Sequence, residues 1–236
     1  MSRLLQRIFR RGTYSNENLA FAADFVTGRD IEGDYLEFGV YRGDSFRYAY
    51  RLLTDNREAL GAYARQHGLE VPKTLQSSIR FFAFDSFAGL PALTGGDATR
   101  KAPSHWREGQ FAASKDTFLA NLRSGGVDLG AVTLVEGWYN QTLVSETKRS
   151  LSLKQGAIFH IDCDLYESTI LVLEFITDLW VDGSIVIFDD WFGFRGNPRY
   201  GEQRAFREWR ERYSIEASEF WRCDGRSVAF ILHGKE

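Results

Sequence analysis

Cysteine, proline and methionine are scarce in this chain of 236 residues, which carries two, four and one of them. Two cysteines, Cys163 and Cys223, are too few for a disulfide framework, so the fold must rest on an apolar core, and a reducing cytoplasm is the expected compartment. No apolar run approaches the roughly 18 residues that a membrane span needs, and a soluble chain is expected. Charge of one sign is also lacking: 29 basic residues face 32 acidic ones, and no basic run interleaves with aromatics. That pattern gives no general attraction to nucleic acid and leaves a small molecule as the expected partner. No repeat or low-complexity segment appears.

What is present is 44% apolar and 15% aromatic residues, enough to bury the core of one α/β domain. Residues 1–32 read as a helical segment of that domain. Their opening, MSRLLQRIFRR, is basic and amphipathic, which suits a first helix packing on its own domain or a partner subunit, or else a targeting or membrane-surface segment. From residue 33 to 236, strand-like runs alternate with helical patterns, as in a mostly parallel, doubly wound sheet. The expected strands are Asp34 to Phe38, Ile79 to Phe84, Val132 to Val135, Ala157 to Ile161, Ile185 to Phe188 and Ser227 to Leu232. Helices are expected at Ser45 to Leu53, Arg57 to His67, Ser114 to Leu122, Thr142 to Lys148, Ser168 to Leu179 and Gln203 to Tyr213, the second belonging to an inserted segment at about 54–78. Ile215 to Trp221, an Asp224-Gly225 turn and the final strand read as an antiparallel hairpin. Residues 92–113, with an exposed-looking Trp106, read as a lid or binding loop, and the aromatics of 191–201 as the wall of an acceptor pocket.

Two apolar runs end in acids. IFHIDCDLYEST, residues 158–169, and SIVIFDDW, residues 184–191, look like buried parallel strands that deliver carboxylates to the carboxyl edge of a sheet. Asp162, Asp189 and Asp190 would supply hard oxygen ligands, suited to Mg²⁺, Ca²⁺ or Mn²⁺ rather than zinc. Strand alternation puts His160, Asp162 and Asp164 on one face, with His160 deeper and read as a core histidine. Helix capping would account for Asp164 but not for four acids on two strand ends. Upstream, the glycine turn Glu37-Phe38-Gly39-Val40-Tyr41-Arg42-Gly43-Asp44-Ser45 follows the first strand; it suits close approach of a ligand, or a tight turn with Asp44 or Ser45 as N-cap. Asp85, ending the second strand in Phe84-Asp85-Ser86-Phe87, stands where nucleotide-binding α/β folds place an acid for the ribose hydroxyls.

Taken together, GDYLEFGVYRGDS at 33–45, FDSFAGLP at 84–91, LVEGWYNQTL at 134–143, HIDCDLYEST at 160–169 and DGSIVIFDDW at 182–191 resemble the macrocin O-methyltransferase family of S-adenosylmethionine-dependent sugar and antibiotic-tailoring enzymes. The resemblance implies the Rossmann-like class I methyltransferase fold, a doubly wound, mostly parallel seven-stranded sheet with an antiparallel C-terminal strand. It implies that Glu37, Gly39 and Gly43, with Ser45 in the same turn, lie at the methionine end of the donor, that Asp85 binds its ribose, and that Ser86 and Phe87 flank the adenosine. Glu136, Gly137 and Trp138 fall near the adenine or the acceptor entrance. Asp162, Asp189 and Asp190 match the family's metal-binding acids, with Mg²⁺ or Mn²⁺ expected. Asp164 matches a candidate base in some members, a role that a nearby histidine takes in others.

The expected function is therefore divalent-metal-dependent transfer of a methyl group from S-adenosylmethionine to a hydroxyl of a sugar or natural-product acceptor by a cytoplasmic homo-oligomer, with Asp162 and Asp164 catalytic. The alternative is a metal-dependent glycosyltransferase, since Asp162-Cys163-Asp164 is also a DxD arrangement. The turn lacks the G-x-G-x-x-G spacing of an NAD site, and unused clustered carboxylates would repel one another in a non-catalytic scaffold.

Overall fold

Asp34–Phe38 and Gly156–Ile161 are buried along their whole length, which only a strand covered on both faces allows, and they form the centre of a sheet. The computed structural model describes residues 16–99, 101–223 and 225–234; the basic stretch at residues 1–11 and Asp224 of the hairpin turn lie outside them. The seven strands are β1 (Asp34–Phe38), β2 (Phe81–Asp85), β3 (Val132–Glu136), β4 (Gly156–Ile161), β5 (Trp180–Phe188), β6 (Glu216–Cys223) and β7 (Ser227–His233). Their order across the sheet is β3-β2-β1-β4-β5-β7-β6. The first five run parallel, and β7 pairs antiparallel with both β5 and β6. The expected class is thus the observed one.

Helices cover both faces: α1 (Glu17–Gly28), α2 (Asp44–His67), α3 (Lys115–Ser124), α4 (Tyr139–Thr142), α5 (Ser145–Ser150), α6 (Tyr166–Ile176) and α7 (Gly201–Tyr213). Alternation along each strand divides the core. Leu36, Phe38, Phe82, Phe84, Phe159 and Ile161 pack under α6 and α7, while Tyr35, Phe81, Ala83, Ile158 and Ile187 pack under α1, α2 and α3. Each such Leu, Ile or Phe side chain contributes about 1.5–3 kcal/mol of burial. The α1 helix starts at Asn16, whose side chain accepts the Leu19 N–H at 3.2 Å, and lays Leu19, Ala22, Ala23 and Val26 on the sheet.

One expectation about elements fails, together with one of the two readings of the glycine turn. The two helices expected around an insertion at 54–78 are one continuous helix of 24 residues, α2, and the rest of the segment returns through a short 3₁₀ turn at Lys73–Leu75. The polar Thr54-Asp55-Asn56 stretch that suggested a break is tied instead to α1, where Asn56 Nδ2 donates to Asp24 Oδ1 at 2.7 Å, and Thr54 Oγ1 donates back to the Tyr50 carbonyl. Neither Asp44 nor Ser45 caps that helix. Its N-cap is Gly43 at φ 85°, without a side-chain cap bond.

Candidate active site

Sheet order reverses between β1 and β4, and the chain leaves these two strands in opposite directions, opening a crevice above their carboxyl ends. Backbone pairing continues one residue past each strand. Gly137 N–H donates to the Asp85 carbonyl, Gly39 N–H to that of Phe84 and Asp162 N–H to that of Phe38, all at 2.9 Å, and Asp189 N–H donates to the Ile161 carbonyl at 3.1 Å. Above this edge lies a cavity of about 770 Å³. Gly39 is required there: at φ 87°, a Cβ would fall 1.9 Å from the Asp162 carbonyl oxygen.

Asp85 organises the turn that follows. Its Oδ2 accepts the N–H groups of Val40 at 2.8 Å and Tyr41 at 3.2 Å, and its Oδ1 accepts that of Phe87 at 2.7 Å. Tyr41 and Phe87 both sit in the left-handed region, at φ 44° and 54°. Burial raises the Asp85 carboxyl above its ordinary value, opposed by these three bonds.

Of the residues expected to hold a donor, Gly39, Ser45, Asp85, Ser86, Gly137 and Trp138 line the cavity. Glu37, Gly43, Phe87 and Glu136 do not. Glu37 is completely buried beneath Ser45 and accepts the hydroxyls of Tyr35 and Ser45, with His160 Nδ1 at 3.4 Å. Gly43 backs onto Phe118, the Phe87 ring packs on Phe118 at 5.9 Å, and Glu136 is paired with Lys115 at 3.0 Å. His160 is the core histidine expected. Burial alone would lower its imidazole, but the charge and hydrogen bond of Glu37, with the charge of Asp189, together outweigh burial and hold it above its ordinary value.

The acids come together as expected. Asp162, Asp189 and Asp190 each present an oxygen within 4.8 Å of the others, and Asp164 lines the same cavity. Burial pushes the Asp162 carboxyl well above its usual range, and Asp189 and Asp190 push it the same way. Burial and then Asp190 do the same to Asp164, and burial and then Asp189 raise Asp190. A crowded all-oxygen donor set whose charges repel is what a hard divalent cation relieves, so these residues fit one. Asp164 does not cap α6, whose N-cap is Leu165 with no side-chain cap bond.

Several residues that bear on this cluster carried no signal in the sequence. Arg226 Nη2 lies 3.2 Å from Asp189 Oδ2, and the buried Glu202 accepts the Asp190 N–H at 3.0 Å. Asp97, from the 92–113 loop, accepts the Tyr166 N–H at 2.6 Å and the Gly201 N–H at 3.3 Å, and so caps both α6 and α7. That loop does reach the cavity, through Ala92, His105, Trp106, Glu108 and Phe111. Trp106 is buried rather than exposed, packed edge-on against Phe194. The aromatics of 191–201 are not a cavity wall: Phe194 props the loop from behind, while Trp191 packs against Phe188, Phe206 and Phe230.

Residues 12–230 match the family model for macrocin O-methyltransferase. Among curated proteins, an 8-demethyl-8-(2,3-dimethoxy-α-L-rhamnosyl)-tetracenomycin-C 4′-O-methyltransferase of Streptomyces olivaceus is 29% identical over 178 residues. A demethyldecarbamoylnovobiocin O-methyltransferase of Streptomyces niveus is 28% identical over 180. Each match takes in 74% of this chain and 59% of the relative's length. Among solved structures, the O-methyltransferase NovP superposes with a TM-score of 0.68 at 24% identity, covering 92% of this chain and 79% of that one. The calicheamicin methyltransferase CalS11 gives 0.63 at 24%, covering 91% and 78%. At these identities the structural likeness is one of fold.

Proposed function

Because the chain belongs to the macrocin O-methyltransferase family, we propose that it moves a methyl group from S-adenosylmethionine to a hydroxyl of a sugar on a natural product, with a divalent cation at Asp162, Asp189 and Asp190. The observation that carries this reading is the meeting of two half-sites in one cavity: the Gly39 turn organised by Asp85 on one side, and the four acids of the β4 and β5 ends on the other. Curated relatives named for methylation of glycosylated antibiotics support the same acceptor class.

The chain's own groups divide the work. Gly39, Ser45, Asp85 and Ser86 bind the donor, Asp85 with the lone-pair capacity left after three backbone bonds, and Gly137 and Trp138 border it. Asp164, with a carboxyl raised by burial and by Asp190, removes the acceptor's proton as its oxygen bonds to the methyl carbon and the carbon–sulfur bond breaks. A bound cation supplies Lewis acidity that favours the deprotonated oxygen. His160 is fully buried and does not line the cavity, which favours Asp164 as the base. Holding the acceptor in line with the donor in this cavity lets positioning contribute to the rate.

Calorimetric titration with S-adenosylmethionine, a UDP-sugar and NAD, each with and without Mg²⁺, tests the donor. Binding of S-adenosylmethionine alone is expected; preference for the UDP-sugar would instead make Asp162-Cys163-Asp164 a glycosyltransferase motif. Exhaustive chelation should abolish methyl transfer and Mg²⁺ restore it. Full activity in a preparation shown to be metal-free would end the metal role.

A further inference from the structure

A second cavity, of about 440 Å³, opens at the amino-terminal edge of the sheet, away from the acids. Its walls come from the end of α1, the middle of α2, residues 74–80 and the starts of β1 and β4, and none of its residues lines the first cavity. Val26, Ile31, Leu53 and Ile79 supply apolar lining beside polar groups. Small-molecule pockets combine the same elements at volumes of about 300–1,000 Å³.

The cations of this cavity differ in how they are engaged. Arg80 is fully occupied: its guanidinium meets both oxygens of Asp34 and the carbonyls of Leu151 and Ser152. Arg57 is not. It is half-buried and donates to the Ser77 carbonyl, and among the described residues no carboxylate pairs with it. Burial therefore pulls its guanidinium below the ordinary value with no opposing charge to offset the effect. Lys154 also lacks an acidic partner among the described residues, and the hydroxyls and backbone N–H groups of Ser77 and Ser78 meet no acceptor there. The lining has two carboxylates, Asp34 held by Arg80 and the exposed Glu32. A partly desolvated guanidinium favours an anion, and an oxyanion placed here would accept charge-assisted bonds from Arg57 and Lys154 and further bonds from the two serines. We infer that this cavity binds a small organic anion, its phosphate or carboxylate held by Arg57, Lys154, Ser77 and Ser78 and its carbon body resting on Val26, Ile31 and Leu53. The inference uses no residue of the candidate active site and stands apart from the methyl-transfer reading.

The test titrates the whole protein, without added metal, with phenyl phosphate, benzoate and benzyl alcohol, and follows binding by calorimetry and by amide chemical shifts. Saturable binding of at least one anion at millimolar or lower concentration is expected, with the shifts at Ser77, Ser78 and Gln155, and the tighter anion identifies the group recognised. Benzyl alcohol should bind at least about tenfold more weakly. Arg57→Gln is expected to weaken the anion about tenfold. It also loses the bond to the Ser77 carbonyl, so Lys154→Gln, which alters an exposed side chain, serves as the second variant and should weaken binding about threefold. Glu32→Gln should tighten it. Benzyl alcohol bound as tightly as the anions, an affinity that neither Arg57→Gln nor Lys154→Gln moves, shifts confined to the acid-lined cavity, or no saturable binding of either anion overturns the inference.

Discussion

Asp164 occupies the left-handed backbone region, at φ 63°, immediately after Cys163 and one residue before the N-cap of α6. A side chain larger than glycine holds that conformation at a cost, and such residues cluster where geometry matters for chemistry. If Asp164 takes the acceptor's proton, Asp164→Asn should preserve fold and donor affinity yet lower turnover by roughly 10²- to 10⁴-fold. A loss of only a few-fold, accompanied by collapse of metal affinity in a titration, would make it a ligand. Asp85 gives a second test. Its carboxylate shapes the turn after β1 through Val40, Tyr41 and Phe87, so Asp85→Ala removes both the turn's acceptor and the proposed ribose acceptor. Binding of S-adenosylmethionine should weaken by about 1–3 kcal/mol, and unchanged affinity in a folded variant would remove Asp85 from the donor site. Both acids were legible in the sequence because each follows an apolar run closely enough for the strand end to place it. Arg226, Glu202 and Asp97 were not, since each reaches the site through contacts between segments far apart in the chain.

Between elements, the junction that matters is Asp97. It joins the 92–113 loop to the first turns of α6 and α7, and those turns carry the segment after Asp164 and the Glu202 that accepts the Asp190 N–H. Removing it leaves two helix N–H groups unmatched, so Asp97→Ala should lower unfolding free energy by about 1–3 kcal/mol in a denaturant titration. If the loop borders the acceptor in the proposed reaction, KM for the acceptor should rise more than affinity for the donor falls. A second tie between α6 and α7 gives a pH dependence. Burial alone would raise the Glu208 carboxyl, but bonds from Arg204 and the Tyr166 hydroxyl outweigh it and hold the group below its ordinary 4.5. The folded value is therefore the lower one. The stabilisation is present above about pH 4.5 and is lost as pH falls through the folded value. Melting temperatures of the wild type and Glu208→Gln should accordingly converge on acidification. The sequence misplaced α2 at this scale because a polar triplet in a helix reads locally as a break, and only the partner Asp24 on α1 shows why it is not.

For the molecule as a whole, buried strands, alternating helices and the terminal hairpin were readable from apolar periodicity and turn residues, and the acids at two strand ends pointed to the cavity in which they meet. The cavity's outer boundary was not readable. Whether Trp106 or Trp191 faces a ligand depends on what lies behind each ring, and an aromatic in a loop has the same composition whether buried or exposed. The backbone ladder running one residue past the ends of β1, β3, β4 and β5 has a kinetic consequence. Amide protons of Gly39, Asp162 and Asp189 donate within that ladder, so they should exchange with solvent deuterium about as slowly as the central strands, while those of the 92–113 loop exchange orders of magnitude faster. Rapid exchange at Asp162 or Asp189 would contradict this. The acids of the site would then outlast the loop above them during partial opening, and a molecule that has lost its grip on the acceptor would still hold its carboxylates in place, ready to rebind without refolding.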